Sequence, residues 1–467
     1  MQLSHSPRVG SATFDEPNLV SAAGLVPVLG LARGAGLDEL AGEQLSVPTD
    51  KGANAGPKTV SLVAGMVAGA DSIDDMALLR HGGMRRVFAG PYAPSTLGSF
   101  LRAFTFGHVR QLDGVAARFA ARLAAQTPVA AGIDDYAVVD VDDTVVEVHG
   151  YAKQGAGFGY NQVRGLNALL ATVTTGTSAP VIVAQRLRKG SANSARGAGR
   201  LVTDALATVN RIRSADAAGP VLVRADSAYY SRATIGAAVR TGADVSVTVR
   251  MDAKVKAAIA AIPDDGWQTI NYTDAVYDEP TGRWVSAAEI AEIPFTAFTS
   301  KNKASQVPGR LVVRRIPDLN PQATAGQPTL FDSWRFHAFF TTSDPETMDT
   351  VTTDKTHRAH AIIEQVHADL KNSALAHLPC GSFAANSAWL VLAVMAFNLT
   401  RAAATLTGRE LAKATTATIR HKLITVPARI ACSARRLTLH LPRAWPWTRA
   451  WQTLFTLTCG PPAVPST

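Results

Sequence analysis

The stretch Tyr136–His149 places opposing demands on any fold. Val138, Val139, Val141, Val145, Val146 and Val148 are β-branched and Gly150 follows, which reads as a buried strand ending in a turn. Yet Asp140, Asp142 and Asp143 sit in its middle. Side chains alternate along a strand, so Asp140 and Asp142 share one face and Asp143 takes the other. Ionised carboxylates inside an apolar strand are unfavourable unless a cation compensates them. Two readings meet that demand: an edge strand with solvated acids, or a strand in which Asp140 or Asp142 ligates a metal.

The chain beyond this strand alternates strand and helix. A loop holding Lys153, Gly155, Gly157 and Gly159 leads to the apolar run Leu166–Thr175, and a Thr-Gly-Thr-Ser turn leads to Ala179–Arg188. These three strands fit an antiparallel meander. A helix over Ala198–Arg213, a strand over Gly219–Asp226, a helix over Ser231–Gly242 and a strand over Ala243–Arg250 follow. In the order β-β-β-α-β-α-β, the fourth strand returns through a crossover helix and lies parallel to the first. That brings Asp142 near Asp226. Solvated acids on an edge strand do not account for a second acid at the same place.

Either side of this block the texture changes. Residues 1–130 read as helical, with periodic segments at Val20–Gly36, Val60–Gly69, Pro94–Arg102 and Arg110–Ala125. They form either a DNA-binding module or a packing domain. Residues 131–250 hold the alternating block. Residues 251–345 read as a β-rich insertion, with short strands at Trp267–Tyr272, Ile293–Phe298, Arg310–Ile316 and Trp334–Thr342 and a polar loop at Asp318–Gln327. Residues 346–425 return to helix. The tail, 426–467, is basic over Arg429–Arg443 and carries Trp445, Trp447, Trp451 and Phe455, as a docking arm or a last packed segment.

The net charge of +9 and pI of about 9.6, with Arg spread along the chain, favour a polyanionic partner, nucleic acid before membrane. Hydrophobic residues at 47% and charged residues at 18% exclude a disordered chain. Cys380, Cys432 and Cys459 make neither a disulfide framework nor a zinc module, which points to a reducing cytosol. The N-terminus lacks a signal-peptide pattern, and the longest apolar run, Ala388–Phe397, is short for a bilayer. A soluble intracellular protein is expected.

Thr356–Asn372 reads as the best helix in the chain. Ala359, Ile362, Ile363, Val366 and Leu370 make its apolar face, and His357, His360, Glu364, His367 and Lys371 make a second stripe. An anion bound along the stripe explains cations stacked around one acid: Glu364 would hold a metal, and the His and Lys residues phosphates. The alternatives are an ordinary polar face, or a transition metal on His360-x3-Glu364-x2-His367. No His-Glu-x-x-His is present.

Asp142-Asp-Thr, Arg224-Ala-Asp226-Ser and Glu364 inside a Tyr-x2-Arg-x3-Glu-x6-Lys frame resemble bacterial insertion-sequence transposases. These are DDE cut-and-paste enzymes, here of the subgroup named for its YREK signature, with a β-rich insertion between the second Asp and the Glu. The resemblance covers about 136–400. It implies an α/β protein with a ribonuclease-H-like core (β-β-β-α-β-α-β) interrupted by a mostly β insertion, an N-terminal helical domain and a helical C-terminal region. It implies a catalytic and metal-binding triad of Asp142, Asp226 and Glu364, with Asp140 and Asp143 as rivals for the first position. Lys371 matches the signature Lys. His357 stands at the Tyr position and His360 at the Arg position, with Arg358 nearby.

By the same resemblance, the triad holds two Mg²⁺ ions, with Mn²⁺ able to substitute. The enzyme hydrolyses phosphodiesters at the element's ends, passes through a DNA hairpin and transfers the ends to target DNA. Its partner is double-stranded DNA, ends and target, bridged by a homodimer, in a cytoplasmic, nucleoid-associated setting without membrane. A Trp of the insertion stabilises a flipped base in relatives, and Trp267, Trp284 and Trp334 are the candidates. The His residues of the stripe, Arg358 and Lys371 are expected on DNA, as are Lys153, Arg164, Arg188, Lys189, Arg224 and Arg232, with steep salt dependence of binding. A metal-dependent nuclease of the same fold and a non-catalytic DNA-binding protein are the competing readings.

Overall fold

A computed structural model describes residues 10–48, 50, 53–88, 90–278, 283–317, 334–433 and 436–460; the side chains at 271–276, 278, 283–287 and 317 are not described. Apolar residues three and four apart fold the first part of the chain into helices α1 (Leu25–Gly34), α2 (Leu37–Gln44), α3 (Ala55–Ala68), α4 (Pro94–Arg102) and α5 (Phe106–Gln126). Pro94 opens α4, where its missing N–H loses no helix bond. Thr105 and His108 cap α5 reciprocally, and Val109, Leu112, Val115, Phe119 and Leu123 line its buried side.

The alternating block folds in the order read from the sequence. β1 (Ala137–Glu147), β2 (Arg164–Thr174) and β3 (Val181–Lys189) form an antiparallel meander. Helix α6 (Ala198–Ile212) crosses to β4 (Val221–Ala225), which pairs parallel to β1. Helix α7 (Arg232–Arg240) then leads to β5 (Asp244–Thr248), parallel to β4. β1 is flanked by β2 and β4, so it is a central strand.

The β-rich insertion forms, with longer strands than expected: β6 (Gln268–Asp278), β7 (Arg283–Ala297), β8 (Val307–Pro317) and β9 (Trp334–Thr341). It does not make a separate sheet. β9 pairs antiparallel with β5, Phe339 opposite Thr248, and the central sheet runs on through β8, β7 and β6; with the short strand Gly157–Phe158 against β2 it has ten strands among the described residues. β5 would otherwise present an unpaired edge, and β9 satisfies it. The loop expected at Asp318–Gln327 lies outside the described residues.

Helices α8 (Thr350–Arg358) and α9 (Ile362–Lys371) are separated by a 3₁₀ turn at Ala359–Ala361, so the long helix read over Thr356–Asn372 is broken. Helix α10 (Phe383–Thr405) is longer than its apolar run suggested. It has the length and composition to cross a membrane, with mean hydropathy 1.5, but 89% of that window is buried within the protein. It packs against α3, α5 and β3 at the centre of one apolar cluster that runs from Val20 to Leu454. In the tail, Ala428–Ser433 pairs with Leu19–Val20 and with Arg436–His440, while α11 (Thr448–Cys459) packs on α1. The tail is therefore a packed segment.

β2 and β3 shift register between Ala171 and Thr172. There the buried Asn398 of α10 accepts from Ile182 N–H at 3.0 Å and donates to Ile182 C=O at 2.8 Å. Replacing Asn398 with Ala orphans both backbone groups. The expected loss is about 2–4 kcal/mol of unfolding free energy, read by urea denaturation.

Candidate active site

Three adjacent acids of β1 meet three different surroundings. Asp140 is fully buried and faces Arg224, its partner in register on β4. Arg224 Nε and Nη2 donate to the two carboxylate oxygens at 2.7 Å each, and His360 Nδ1 lies 2.8 Å from Oδ1. The guanidinium also donates to the carbonyls of Thr356 and Ala359, at the C-terminal end of α8 where carbonyls lack helical partners. This pair pins the turn between α8 and α9 to the sheet.

Asp143 lies on the opposite face. It accepts from Asn167 Nδ2 and from the Tyr229 hydroxyl and pairs with Arg188 at 3.1 Å. Arg188 also donates to Asn167 Oδ1 and to the carbonyls of Asn193, Ser194 and Arg196. Burial and the Asp143 charge hold the Tyr229 hydroxyl protonated. Tyr229 belongs to the 3₁₀ turn that Asp226 caps, so this network steadies the turn carrying the second acid.

Asp142, between them, has no arginine or lysine partner among the described residues. Its acid is pushed up to about 7 by burial, with the like charges of Asp143 and Asp226 adding to it. β1 and β4 align Asp140 with Arg224 and Val141 with Ala225; one residue further, Asp142 stands beside Asp226. Asp226 ends its strand as an N-cap, accepting from Ala228 N–H at 2.9 Å, and its acid is raised by burial and by Asp143. Two like-charged acids held together with no arginine or lysine partner among the described residues are what a bound cation would relieve. An all-oxygen pair suits a hard divalent ion.

Helix α9 packs against β1, with His367 Nδ1 3.7 Å from Asp142 Oδ2. His367 is buried, its Nε2 has no hydrogen-bond partner among the described residues, and burial lowers its pKa to about 4. Glu364, one turn back on the same helix, is solvent-exposed. Among the described residues no three His, Cys, Asp or Glu side chains gather closely enough to hold a metal. The structure thus brings Asp142 and Asp226 together and does not complete the group with Glu364. The alternative of His360, Glu364 and His367 as a metal site does not assemble either.

The cations expected on DNA divide. Arg188 and Arg224 are buried in the acid networks just described. Arg358 pairs with Asp354 at 2.9 Å, and His357 lies flat on Phe339, centroids 4.0 Å apart, between the Ser246 and Thr248 hydroxyls. Burial lowers its pKa to about 3, so it is a neutral wedge between α8 and the sheet. Lys153 and Arg164 donate to loop carbonyls, and Lys189 and Lys371 are exposed. Arg232 donates to Ser305 Oγ at 2.5 Å and lines a groove of about 620 Å³ with Arg200 and Arg240. A second groove of about 450 Å³ opens beside Asp226 at Ser227, Ala228, Tyr230, Arg250 and Lys254. Arg200, Arg240, Arg250 and Lys254 were not singled out from the sequence, where they are isolated charges. Trp267 and Trp334 sandwich the Arg315 guanidinium at 4.1 and 4.4 Å; the Trp284 side chain lies outside the described residues.

The sheet order, the crossover helices and the acids of two neighbouring strands, one mid-strand and one at a strand end, define an α/β protein with a ribonuclease-H-like core. No curated protein matches the chain. Residues 3–458 match the family described as transposase DDE domain, group 1, and the chain belongs to that family, as a DDE transposase of insertion-sequence type.

Replacing Asp140 with Asn leaves Arg224 unpaired in the core and should lower stability by roughly 3–5 kcal/mol. Replacing Asp142 with Asn removes repulsion instead, and should raise the melting temperature at pH 8. Thermal melts of the two variants distinguish the roles. Between pH 6.5 and about 3 the unfolded chain binds a proton at His357 that the native state lacks. Stability therefore falls as pH falls through that window, by about 1.4 kcal/mol per pH unit for this group. The His357→Phe variant keeps the stack on Phe339, and its stability should depend on pH by one proton fewer.

Proposed function

We propose that the chain is a metal-dependent DNA transposase that cuts phosphodiesters at element ends and joins the freed 3′ ends to target DNA. The observation that carries this is the division of the β1 acids: Asp140 and Asp143 are spent on arginines, and Asp142 is left beside Asp226 with no arginine or lysine partner among the described residues. In the family the third acid is a helical Glu, and Glu364 holds that position. Asp142 and Asp226 would hold two Mg²⁺ ions, or Mn²⁺, with Glu364 closing on the same site. Bound there, the ions supply a stronger oxygen nucleophile and offset charge on the leaving oxygen.

The chain's own residues orient the substrate. Arg250 and Lys254 beside Asp226, and Arg200, Arg232 and Arg240 beyond, line grooves whose charge suits a phosphate backbone. His360, against Asp140 and near both open acids, stands where the family carries an arginine. The further steps, a hairpin intermediate and a homodimer bridging two ends in the bacterial cytoplasm, rest on the family alone. So does a DNA-end-binding role for residues 1–130.

Asp226→Asn should lower Mg²⁺- or Mn²⁺-dependent cleavage of end DNA on the order of a thousandfold while DNA binding persists. Unchanged cleavage would remove Asp226 from the site. A nuclease of the same fold remains the second reading, because the paired acids serve hydrolysis equally well. Strand transfer from pre-cut ends separates the two: joined product supports the transposase, and hydrolysis alone supports the nuclease.

A further inference from the structure

The hairpin joining β1 to β2 is firmly held, yet its aromatic side chains are largely exposed. β4 ends at Ala225, opposite Val141, while β1 continues to Glu147. The hairpin therefore projects past the end of β4 on the side where Asp226 sits. Five residues at about 3.3 Å each put Glu147 roughly 17 Å from Asp142.

The loop beyond Glu147 is braced on both flanks. Arg164 donates to the Gly150 carbonyl at 2.5 Å and reaches those of Val148 and Tyr151 at 3.4 Å. Lys153 donates to Leu378 C=O, Gln154 N–H to Gly381 C=O at 2.9 Å, and Phe383 N–H to Gln154 Oε1 at 3.0 Å. Gly155, at φ +79°, sits so close to Phe383 that a Cβ would stand 2.8 Å from the ring. These contacts tie the loop to the segment that follows α9.

Tyr151, Phe158 and Tyr160 remain outside this framework, with 95%, 62% and 91% of their surface exposed. Folding does not require their exposure there, and three exposed aromatics within ten residues of one braced loop mark a binding surface. Their setting decides the ligand. The Arg164 guanidinium lies 5.3 Å from the Tyr151 ring centroid, and Lys189 is exposed on β3 nearby, since Leu166 of β2 pairs with it. Flat π-faces among cations suit unpaired nucleobases on a phosphate strand, which every base can satisfy by stacking. The insertion tryptophans Trp267 and Trp334 are occupied by Arg315.

We propose that Tyr151, Phe158 and Tyr160 form a stacking platform for unpaired bases of a DNA strand that passes Asp142. The site rests on the reading of Asp142 and Asp226 as a DNA-cutting centre, but its test needs no cleavage. The full-length protein is titrated with a 2-aminopurine-labelled single-stranded oligonucleotide and with the corresponding duplex, for wild type, Tyr151→Ala/Tyr160→Ala, and Tyr151→Trp/Tyr160→Trp. The alanine variant should bind the single strand at least about fivefold more weakly and lose the stacking-dependent fluorescence quenching. The tryptophan variant should retain both, and duplex affinity should change less than twofold. Equal loss on both probes, with an unchanged melting temperature, would reduce the loop to a phosphate contact and overturn the proposal. Unchanged probe binding with an altered oligomeric state would overturn it too, by assigning the aromatics to a second copy of the chain. Cleavage by Asp226→Asn is read separately from the single-strand titration of the platform variants, so failure of the catalytic reading and failure of the platform give different results.

Discussion

The ion pair between Asp140 and Arg224 is the contact on which the candidate site depends. Both groups are buried, and an isolated charge at either position would be strongly unfavourable, so each is kept only by the other. The same guanidinium grips the last carbonyls of α8. One cation thereby fixes the spacing of β1 and β4 and the docking of the broken helix that carries Glu364. Asp143 does the equivalent work on the other face, where Arg188, Asn167 and Tyr229 tie it to the turn after Asp226. Asp142 is held from both sides and, among the described residues, receives no arginine or lysine of its own. Its raised pKa records that arrangement: the fold tolerates an unfavourable acid because its neighbours over-determine the strand.

Much of this could be read from residues alone, and the reason is periodicity. Valines at alternating positions mark β1 as a strand, and the crossover rule makes β4 parallel to it, so the approach of Asp142 and Asp226 follows from local pattern and chain handedness. The roles of the other two acids could not be read that way. Asp140 lies on the face of β1 that also bears Asp142, and only the register with Arg224 separates a structural acid from an open one. Arg188 and Arg224 look like surface charge in sequence because burial depends on partners 21 and 84 residues distant. The break of the Glu364 helix at Ala359–Ala361 was hidden for a similar reason: Arg224 drawing on the Thr356 and Ala359 carbonyls leaves no mark on the helical pattern.

The insertion illustrates a different gap. Its strands were legible from alternating residues, but their destination was not. Whether a β-rich segment stands apart or joins an existing sheet depends on which edge is open, and that is a property of β5 rather than of residues 251–345. The consequence is a single hydrogen-bonded sheet from β3 to β6, in which the acids lie near the middle.

Helix α10 carries an implication for biosynthesis. It covers apolar faces of α3, α5 and β3, all of which leave the ribosome long before Phe383. At about 5–20 residues per second, those faces wait many seconds for their cover. A nascent chain in that interval exposes greasy surface to chaperones and to other unfinished copies. Truncation before residue 405 would therefore yield an aggregating fragment rather than a smaller working protein.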